Sequence, residues 1–312
     1  MHLPPDFPVL DAHQHFWDPG VNHHPWLCDE PMIPFRYGDY SAIRRRFLPP
    51  DYLAAAAPVR VVATVYVETE WNPSDPLGET RYIHEVAERY GYPNAVVAQA
   101  WLDRPDAAEV LAGQAAFPLV RSVRHKPAAA ATPDAVVRGR PGGMDDPRWR
   151  AGFAELDRHG LMFDLQCPWW ELEAAADLAA DFPDTTIVLN HAGLPSDRSA
   201  EGLAGWRRAM ARLAERPNVA LKISGIGLPG RPWTLAENGP VIREAITLFG
   251  WQRCMFASNF PVDSLVGSFA TIFDGFYAAS EGYPEVVRRA LFHDTAARIY
   301  RTTAPVGAKT TA

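Results

Sequence analysis

The first candidate strand is Val9-Leu10-Asp11-Ala12-His13-Gln14-His15-Phe16, a short run bounded by prolines and turn residues. Seven further short, β-branched and apolar runs follow it: Val61 to Glu68, Ala95 to Leu102, Leu119 to His125, Leu161 to Cys167, Thr186 to Ala192, Val219 to Gly225 and Cys254 to Phe260. Most of these runs are too apolar to face water, which indicates a parallel sheet covered by helices.

Helical patterns of apolar residues separate the candidate strands. They cover Glu79 to Tyr90, Arg148 to His159, Leu172 to Asp181, Leu203 to Glu215 and Pro240 to Phe249. Strand and helix therefore alternate, and eight such units can close into a barrel. An open doubly wound sheet is the alternative, but Gly142-Gly143 lacks the spacing of a dinucleotide-binding loop. The sequence predicts an α/β protein, a (β/α)8 TIM barrel.

Chain length is consistent with one such barrel, which typically needs about 250 residues and tolerates insertions. We predict a single barrel domain over residues 1–302 and a flexible tail over 303–312, where the sequence is small and polar. Two connections are long, Trp17 to Pro50 after the first strand and Pro127 to Pro147 after the fourth. Both should emerge at the carboxyl ends of the strands, as active-site loops or as surface insertions.

The formal net charge of -7 argues against a nucleic-acid partner, because nucleic-acid binders concentrate Lys and Arg on one face. No stretch is long and apolar enough for a membrane span, and the amino terminus does not have the pattern of a secretory signal. The three cysteines are widely spaced, which favours a reducing compartment. We expect a cytoplasmic protein that binds a small molecule and no membrane. The sequence leaves open whether the chain forms a homo-oligomer.

Three histidines fall at the ends of candidate strands. His13 and His15 are two residues apart in the first strand, so their side chains should point the same way, toward the barrel mouth. His191 follows the sixth strand at the same level. Each could be a buried structural residue on its own, but the combination predicts a catalytic cluster.

Basic and aromatic side chains complete the predicted substrate site. Arg124, His125 and Lys126 close the fourth strand, where they could bind a carboxylate or hydroxyl groups or simply be solvated. Tryptophans that follow strand ends could pack against a sugar or an aromatic ring. They are Trp17, Trp71, Trp169 and Trp170. Lys222 lies in an apolar strand, so it should either pair with an acid such as Asp164 or face the ligand.

Several of these motifs together resemble the amidohydrolase-2 branch of the amidohydrolase superfamily. They are Asp11 to Pro19, Val123-Arg124-His125, Asn190-His191-Ala192-Gly193, Leu221 to Gly225 and Met255 to Pro261. The chain is most similar to the group of sugar lactonases and 2-pyrone-4,6-dicarboxylate lactonases, and the similarity runs from about Val9 to Tyr300. The resemblance implies a hydrolase in which water attacks a lactone carbonyl polarised by the histidines.

One position departs from the family pattern. The family has an aspartate on the eighth strand that activates water, whereas this chain has Asn259. A neutral amide cannot accept a proton from water, so the base would be a histidine or a nearby carboxylate such as Asp263. Two other functions stay open: an aromatic-acid decarboxylase of the same superfamily, and a barrel that only binds a ligand.

The same residues leave the need for a metal open. His13, His15 and His191 could bind Zn²⁺ and leave one position for water, as hydrolytic zinc sites do. The missing carboxylate weakens the case for a metal, and the resemblance implies a second mechanism in which the histidines donate hydrogen bonds to the lactone carbonyl directly. No cofactor is therefore predicted with certainty, and one divalent ion remains an alternative.

Overall fold

The computed structural model describes residues 1–302, so the predicted tail over 303–312 lies outside the described residues. Its strands are β1 Val9–Gln14, β2 Val61–Val67, β3 Ala95–Gln99, β4 Val120–Arg124, β5 Met162–Leu165, β6 Ile187–Leu189, β7 Val219–Ile223 and β8 Cys254–Phe256. They pair in sequential order, all parallel. A parallel bridge from Gln14 to Phe260 joins the first strand to the segment after the last. The sheet thus forms a nearly closed barrel, which confirms the predicted fold.

Helices cover the outside of this barrel. In the described residues they are α1 Pro25–Cys28, α2 Pro49–Ala56, α3 Gly78–Tyr90, α4 Ala107–Ala115, α5 Pro147–Arg158, α6 Leu172–Asp181, α7 Ala200–Ala214, α8 Leu235–Phe249, α9 Phe269–Ala279, α10 Glu285–Arg289 and α11 Thr295–Tyr300. The five predicted helices are α3, α5, α6, α7 and α8. The apolar pattern did not single out the other helices; in α4, for example, the alanines give little contrast between an apolar and a polar face.

Two layers of apolar side chains form the core. One layer fills the barrel and includes Leu10, Val65, Val97 and Val188, and the other lies between the strands and the helices. Residues from consecutive strands thus interdigitate inside a packed barrel, which is not an open pore. This packing leaves the carboxyl ends of the strands as the place where polar side chains can converge.

A buried ion pair crosses the barrel interior. The Nζ of Lys222 in β7 donates to Asp164 Oδ2 in β5 over 2.7 Å, and both side chains are fully buried. The hydroxyl of Tyr300 in α11 and the amide of Asn190 also donate to the Asp164 carboxylate. The predicted pairing of Lys222 with Asp164 is therefore confirmed, and it ties the last helix to the barrel.

Strands β6 and β8 end earlier than the sequence predicts. After β6 the backbone turns into the left-handed region at His191 and Ala192, and after β8 it does so at Asn259. After β8, hydrogen bonds to a side chain take the place of strand pairing. The backbone N–H and the hydroxyl of Ser258 both donate to the Asp11 carboxylate. Irregular backbone therefore surrounds the barrel mouth.

The two long connections behave differently. The segment between β1 and α2 folds over the carboxyl ends of the strands and contains α1. The segment between β4 and α5 packs beside the barrel, where the Trp170 indole donates to Ala130 O. No helix in the described part of the chain is long and apolar enough to cross a membrane.

Candidate active site

The carboxyl end of β1 presents two imidazoles to the barrel mouth. A register shift between Asp11 and Gln14 interrupts the alternation of the strand. Ala12 packs with the barrel interior, and the next residue, His13, also turns inward, where its ring centroid lies 5.0 Å from that of His15. Asp11 faces outward and accepts a hydrogen bond from Tyr52 in α2 over 2.7 Å. The irregularity is what allows His13 and His15 to converge.

His191 meets this pair from the other side of the barrel. Its ring centroid lies 4.6 Å from that of His13. Ser224, at the end of β7, contacts the Nδ1 of His191 through its hydroxyl at 2.9 Å and fixes the ring. The structure therefore brings together the three histidines that the sequence singles out.

All three imidazoles are neutral at pH 7. Burial lowers the pKa of His15 to about 3, and the charge of Arg124 acts in the same direction. Burial, together with nearby positive charges, lowers the pKa of His13 and of His191 well below the usual value. Neutral imidazoles keep a lone pair, so each can accept a proton.

His15 has a defined tautomer. Its Nδ1 lies 2.7 Å from the carbonyl oxygen of Val67, so Nδ1 carries the proton and donates it. The lone pair is then on Nε2, which lies 3.3 Å from the Oδ1 of Asn259. Two acceptor atoms therefore face each other at the barrel mouth.

Asp263 fixes the orientation of the Asn259 amide. The Nδ2 of Asn259 donates to Asp263 Oδ1 over 2.6 Å, and the hydroxyl of Tyr37 donates to the same oxygen over 3.0 Å. Burial raises the pKa of Asp263 to about 6, although Arg36 and these two hydrogen bonds lower it in part. The carboxylate is mostly ionised at pH 7, and it lies behind Asn259, where it does not line the cavity.

A cavity of about 290 Å³ opens above this cluster. Its walls combine aromatic, charged and amide side chains, which include Trp17, Trp26, Phe35, Arg36, Glu68, Glu70, Arg124, Lys126, Gln166, His15, His191 and Asn259. The volume is near the lower end of the range for small-molecule sites, about 300–1,000 Å³. The cavity therefore suits a ligand of monosaccharide size.

Two ion pairs line the wall between β2 and β4. Arg124 bonds to the Glu68 carboxylate with both side chains buried, and the Nζ of Lys126 donates to Glu70 Oε1 over 2.6 Å. The sequence analysis missed both glutamates. Their spacing of two residues matches that of Arg124 and Lys126, and this match is the signal that could have found them.

The backbone is strained where three of these side chains are presented. Glu70, His191 and Asn259 all have φ of 56°, in the left-handed region that residues other than glycine seldom adopt. All three line the cavity. Strain of this kind costs roughly 1–3 kcal/mol per residue and tends to cluster at functional sites.

Some predicted site residues lie elsewhere. His125 faces the helices, where its Nδ1 accepts hydrogen bonds from the backbone N–H of Leu102 and from the Trp149 indole. Trp169 packs against Trp170 and beside Gly205 of α7, away from the cavity. Strand alternation explains the first case, because Arg124 and Lys126 face inward and the residue between them cannot.

The long segment after β1 supplies residues that the sequence analysis did not single out. Arg36 reaches across the mouth and donates to the carbonyl oxygen of Gly225 beyond β7 and to the hydroxyl of Tyr37. Trp26 and Phe35 stack with ring centroids 5.6 Å apart. This segment is therefore one wall of the cavity. Of the described residues, none from Pro127 to Pro147 lines it.

The histidine cluster does not fit a metal ion as it is arranged. Both ring nitrogens of His13 are buried without a partner among the described residues, which a metal could satisfy. However, within residues 1–302 no group of three or more His, Cys, Asp or Glu side chains is placed to hold one. The charges of Lys222 and Arg124 also act on His13, and both oppose a bound cation.

A closed parallel barrel with polar side chains at its carboxyl end has the architecture of a (β/α)8-barrel enzyme. Residues 10–302 match the family model of the amidohydrolases, and the chain belongs to this family of hydrolases.

Individual relatives cover most of the chain. An uncharacterized protein, y4mH, of Sinorhizobium fredii is 40% identical over 95% of this chain and 99% of its own. An L-fucono-1,5-lactonase of Burkholderia ambifaria is 31% identical over 83% of this chain and 82% of its own. The crystal structure of an amidohydrolase from Burkholderia multivorans with bound zinc superposes with a TM-score of 0.76, at 26% identity, over 95% of this chain and 99% of that one.

Proposed function

We propose that this chain is a lactonase that opens the cyclic ester of a monosaccharide-derived acid. The family supports hydrolysis, and the relative from Burkholderia ambifaria is named for L-fucono-1,5-lactone. The cavity supports a substrate of this size with several hydroxyl groups, since carboxylates, cations and amides alternate on its walls. Trp17 is fully buried, so the half-buried ring of Phe35 is the apolar surface for one side of a sugar ring.

The observation that carries the proposal is the pair of acceptors formed by His15 Nε2 and Asn259 Oδ1, 3.3 Å apart. A water molecule on the cavity side of this pair can donate one proton to each atom, which fixes its position and directs an oxygen lone pair into the cavity. As the water attacks, His15 accepts its proton, and Asn259 holds the second one. The amide at 259 thus orients the nucleophile, and the imidazole is the base.

The reaction then follows from the neighbouring charges. The water oxygen bonds to the lactone carbonyl carbon, and negative charge develops on the carbonyl oxygen, where the positive charges of Arg36, Arg124 and Lys126 stabilise it. The ring carbon–oxygen bond breaks, and the proton held by His15 goes to the leaving ring oxygen. The product is an open hydroxy acid, which ionises and releases one proton to solution.

Acid release from a panel of aldonolactones, with L-fucono-1,5-lactone among them, tests the proposal. We expect turnover above the spontaneous rate and a loss of about 10²–10⁴-fold in kcat/KM for His15→Asn, which removes the base. His159→Asn, at the end of α5, is the matched control and should keep full activity. No turnover of any lactone at pH 6 to 8 would contradict the proposal.

The same assay addresses the metal and the other functions. We expect activity to survive exhaustive chelation, because the side chains carry the reaction. A loss that Zn²⁺ restores would assign a metal to the three histidines instead. Release of carbon dioxide from hydroxybenzoates without lactone opening would indicate a decarboxylase, and ligand binding without any turnover would indicate a binding barrel.

A further inference from the structure

A second cavity of about 350 Å³ adjoins the candidate active site. The two share Trp26, Ile33 and Glu70, so they meet along one wall. We call the first the inner cavity and the second the outer cavity. Hydrolysis of a monosaccharide lactone requires only the inner cavity. The outer cavity therefore has room for a part of the substrate that does not react.

Three tryptophan side chains give the outer cavity partly aromatic walls. Trp71 follows β2 and Trp101 follows β3, and both line it together with Trp26. Neighbouring groups hold these rings in place. The Trp26 indole donates to the backbone carbonyl oxygen of Thr69 over 2.8 Å, the His24 ring packs edge-on to Trp71, and the guanidinium of Arg104 lies over the Trp101 ring. Fixed, half-buried indoles are suited to binding flat apolar faces.

The polar groups of the outer cavity define the rest of the ligand. Its charged lining residues are Asp29 and Glu70, both acidic, whereas the inner cavity has three cations. Gln99 also lines it, and the Oε1 of this buried side chain has no hydrogen-bond partner among the described residues. These groups accept hydrogen bonds from neutral donors and repel phosphates and carboxylates.

We infer that the outer cavity binds a second, neutral sugar ring, so that the preferred substrate is the lactone of a disaccharide-derived acid. This inference rests on the proposed function and extends it. Sugar hydroxyls would donate to Gln99 and Glu70, while the apolar face of the ring packs on Trp71 or Trp101. The lactone ring would remain in the inner cavity beside His15.

Steady-state kinetics with paired lactones test the inference. We compare monosaccharide aldonolactones with disaccharide aldonolactones of several linkages in the wild type, Trp101→Ala and Trp101→Phe. For at least one disaccharide lactone, Trp101→Ala should lower kcat/KM about tenfold, the expected cost of losing one aromatic contact, and Trp101→Phe should recover most of it. Monosaccharide lactones should be opened equally by all three proteins. Trp170→Ala, which alters neither cavity, is the matched control.

Calorimetric titration with the product acids separates this inference from the proposed function. The disaccharide acid should bind more tightly than the monosaccharide acid in the wild type and lose that advantage in Trp101→Ala, whether or not any lactone turns over. Equal affinities, or equal kcat/KM values for disaccharide lactones in the wild type and Trp101→Ala, would overturn the inference. An aryl group in place of the second sugar that raises kcat/KM of the lactone by the same factor would also overturn the inference.

Discussion

The Asn259 amide lies beside the buried carboxylate of Asp263. This contact determines how the attacking water is oriented. The 2.6 Å contact leaves Nδ2 as the donor to the carboxylate, so Oδ1 must face His15. The family pattern has an aspartate at the position of Asn259. In this chain the carboxylate lies four residues later, at Asp263, and acts through the neutral amide of Asn259. Asp263 is accordingly a positioning residue.

The pH dependence of activity should reflect Asp263 more than the histidines. Its carboxyl, with a pKa of about 6, loses its charge as pH falls through 6, and the amide is then held only by a weaker hydrogen bond to a neutral group. His15, with a pKa of about 3, remains neutral over the same range. We expect kcat/KM to fall below about pH 6, as read from a pH–rate profile.

The variant Asp263→Asn supplies the control for that profile. Its neutral amide has the charge of the protonated carboxyl at every pH and cannot titrate. Activity at pH 7.5 should therefore fall toward the level that the wild type shows below pH 6, and the acid limb near pH 6 should disappear. An unchanged acid limb would show that another group sets it.

Asn259→Asp should lose activity and gain none. The new carboxylate oxygen would lie 2.6 Å from Asp263 Oδ1, where the amide now donates. One of the two acids must then take up a proton, at a cost of roughly 3 kcal/mol in folding stability at pH 7. Urea unfolding and lactone kinetics check both effects. A strong gain of hydrolysis would instead mark the natural chain as impaired.

Among the elements, the turn after β7 determines the position of His191. Gly225 has φ of +56°, and a Cβ at this position would lie 2.5 Å from the Nδ1 of His191. Gly225→Ala must therefore displace the imidazole, and a shift of about 1 Å can cost 10²-fold in rate. We expect a loss of this size in kcat/KM.

Gly230→Ala is the matched control for that change. Gly230 also has a positive φ, of +67°, but a Cβ there would meet no atom within 4 Å. Gly230→Ala should lower the free energy of unfolding by only about 1 kcal/mol, because of the positive φ, and should leave kcat/KM unchanged. Equal losses in the two variants would mean that backbone strain is responsible and that the position of His191 is not.

The sequence reveals where the strands lie better than it reveals where they end. Apolar runs located all eight strands because strands that are buried on both faces are predominantly apolar. The ends of β6 and β8 were predicted too late, since the left-handed turns at His191 and Asn259 depend on contacts with other strands. Arg36 lies in a long segment without periodicity, so nothing local indicates that it reaches Gly225.

The pair of Lys222 and Asp164 links β5, β7 and α11 inside the barrel. Lys222→Met should destabilise the protein by about 3–5 kcal/mol, because it leaves a buried carboxylate without its cation. Urea unfolding measures the loss. The double variant Asp164→Asn with Lys222→Met removes both charges and should recover part of it, whereas a loss below about 1 kcal/mol in Lys222→Met would contradict this role.

The proposed reaction requires the segments that contain His15, His191 and Asn259 to converge on one lactone. A crystal structure of the protein with the hydroxy acid product tests this convergence. We predict that the product carboxylate accepts hydrogen bonds from Arg36, Arg124 or Lys126 beside His15, and that His191 also faces it. The sugar chain should lie against Phe35. A product bound outside the inner cavity, or imidazoles turned away from its carboxylate, would contradict the proposed reaction.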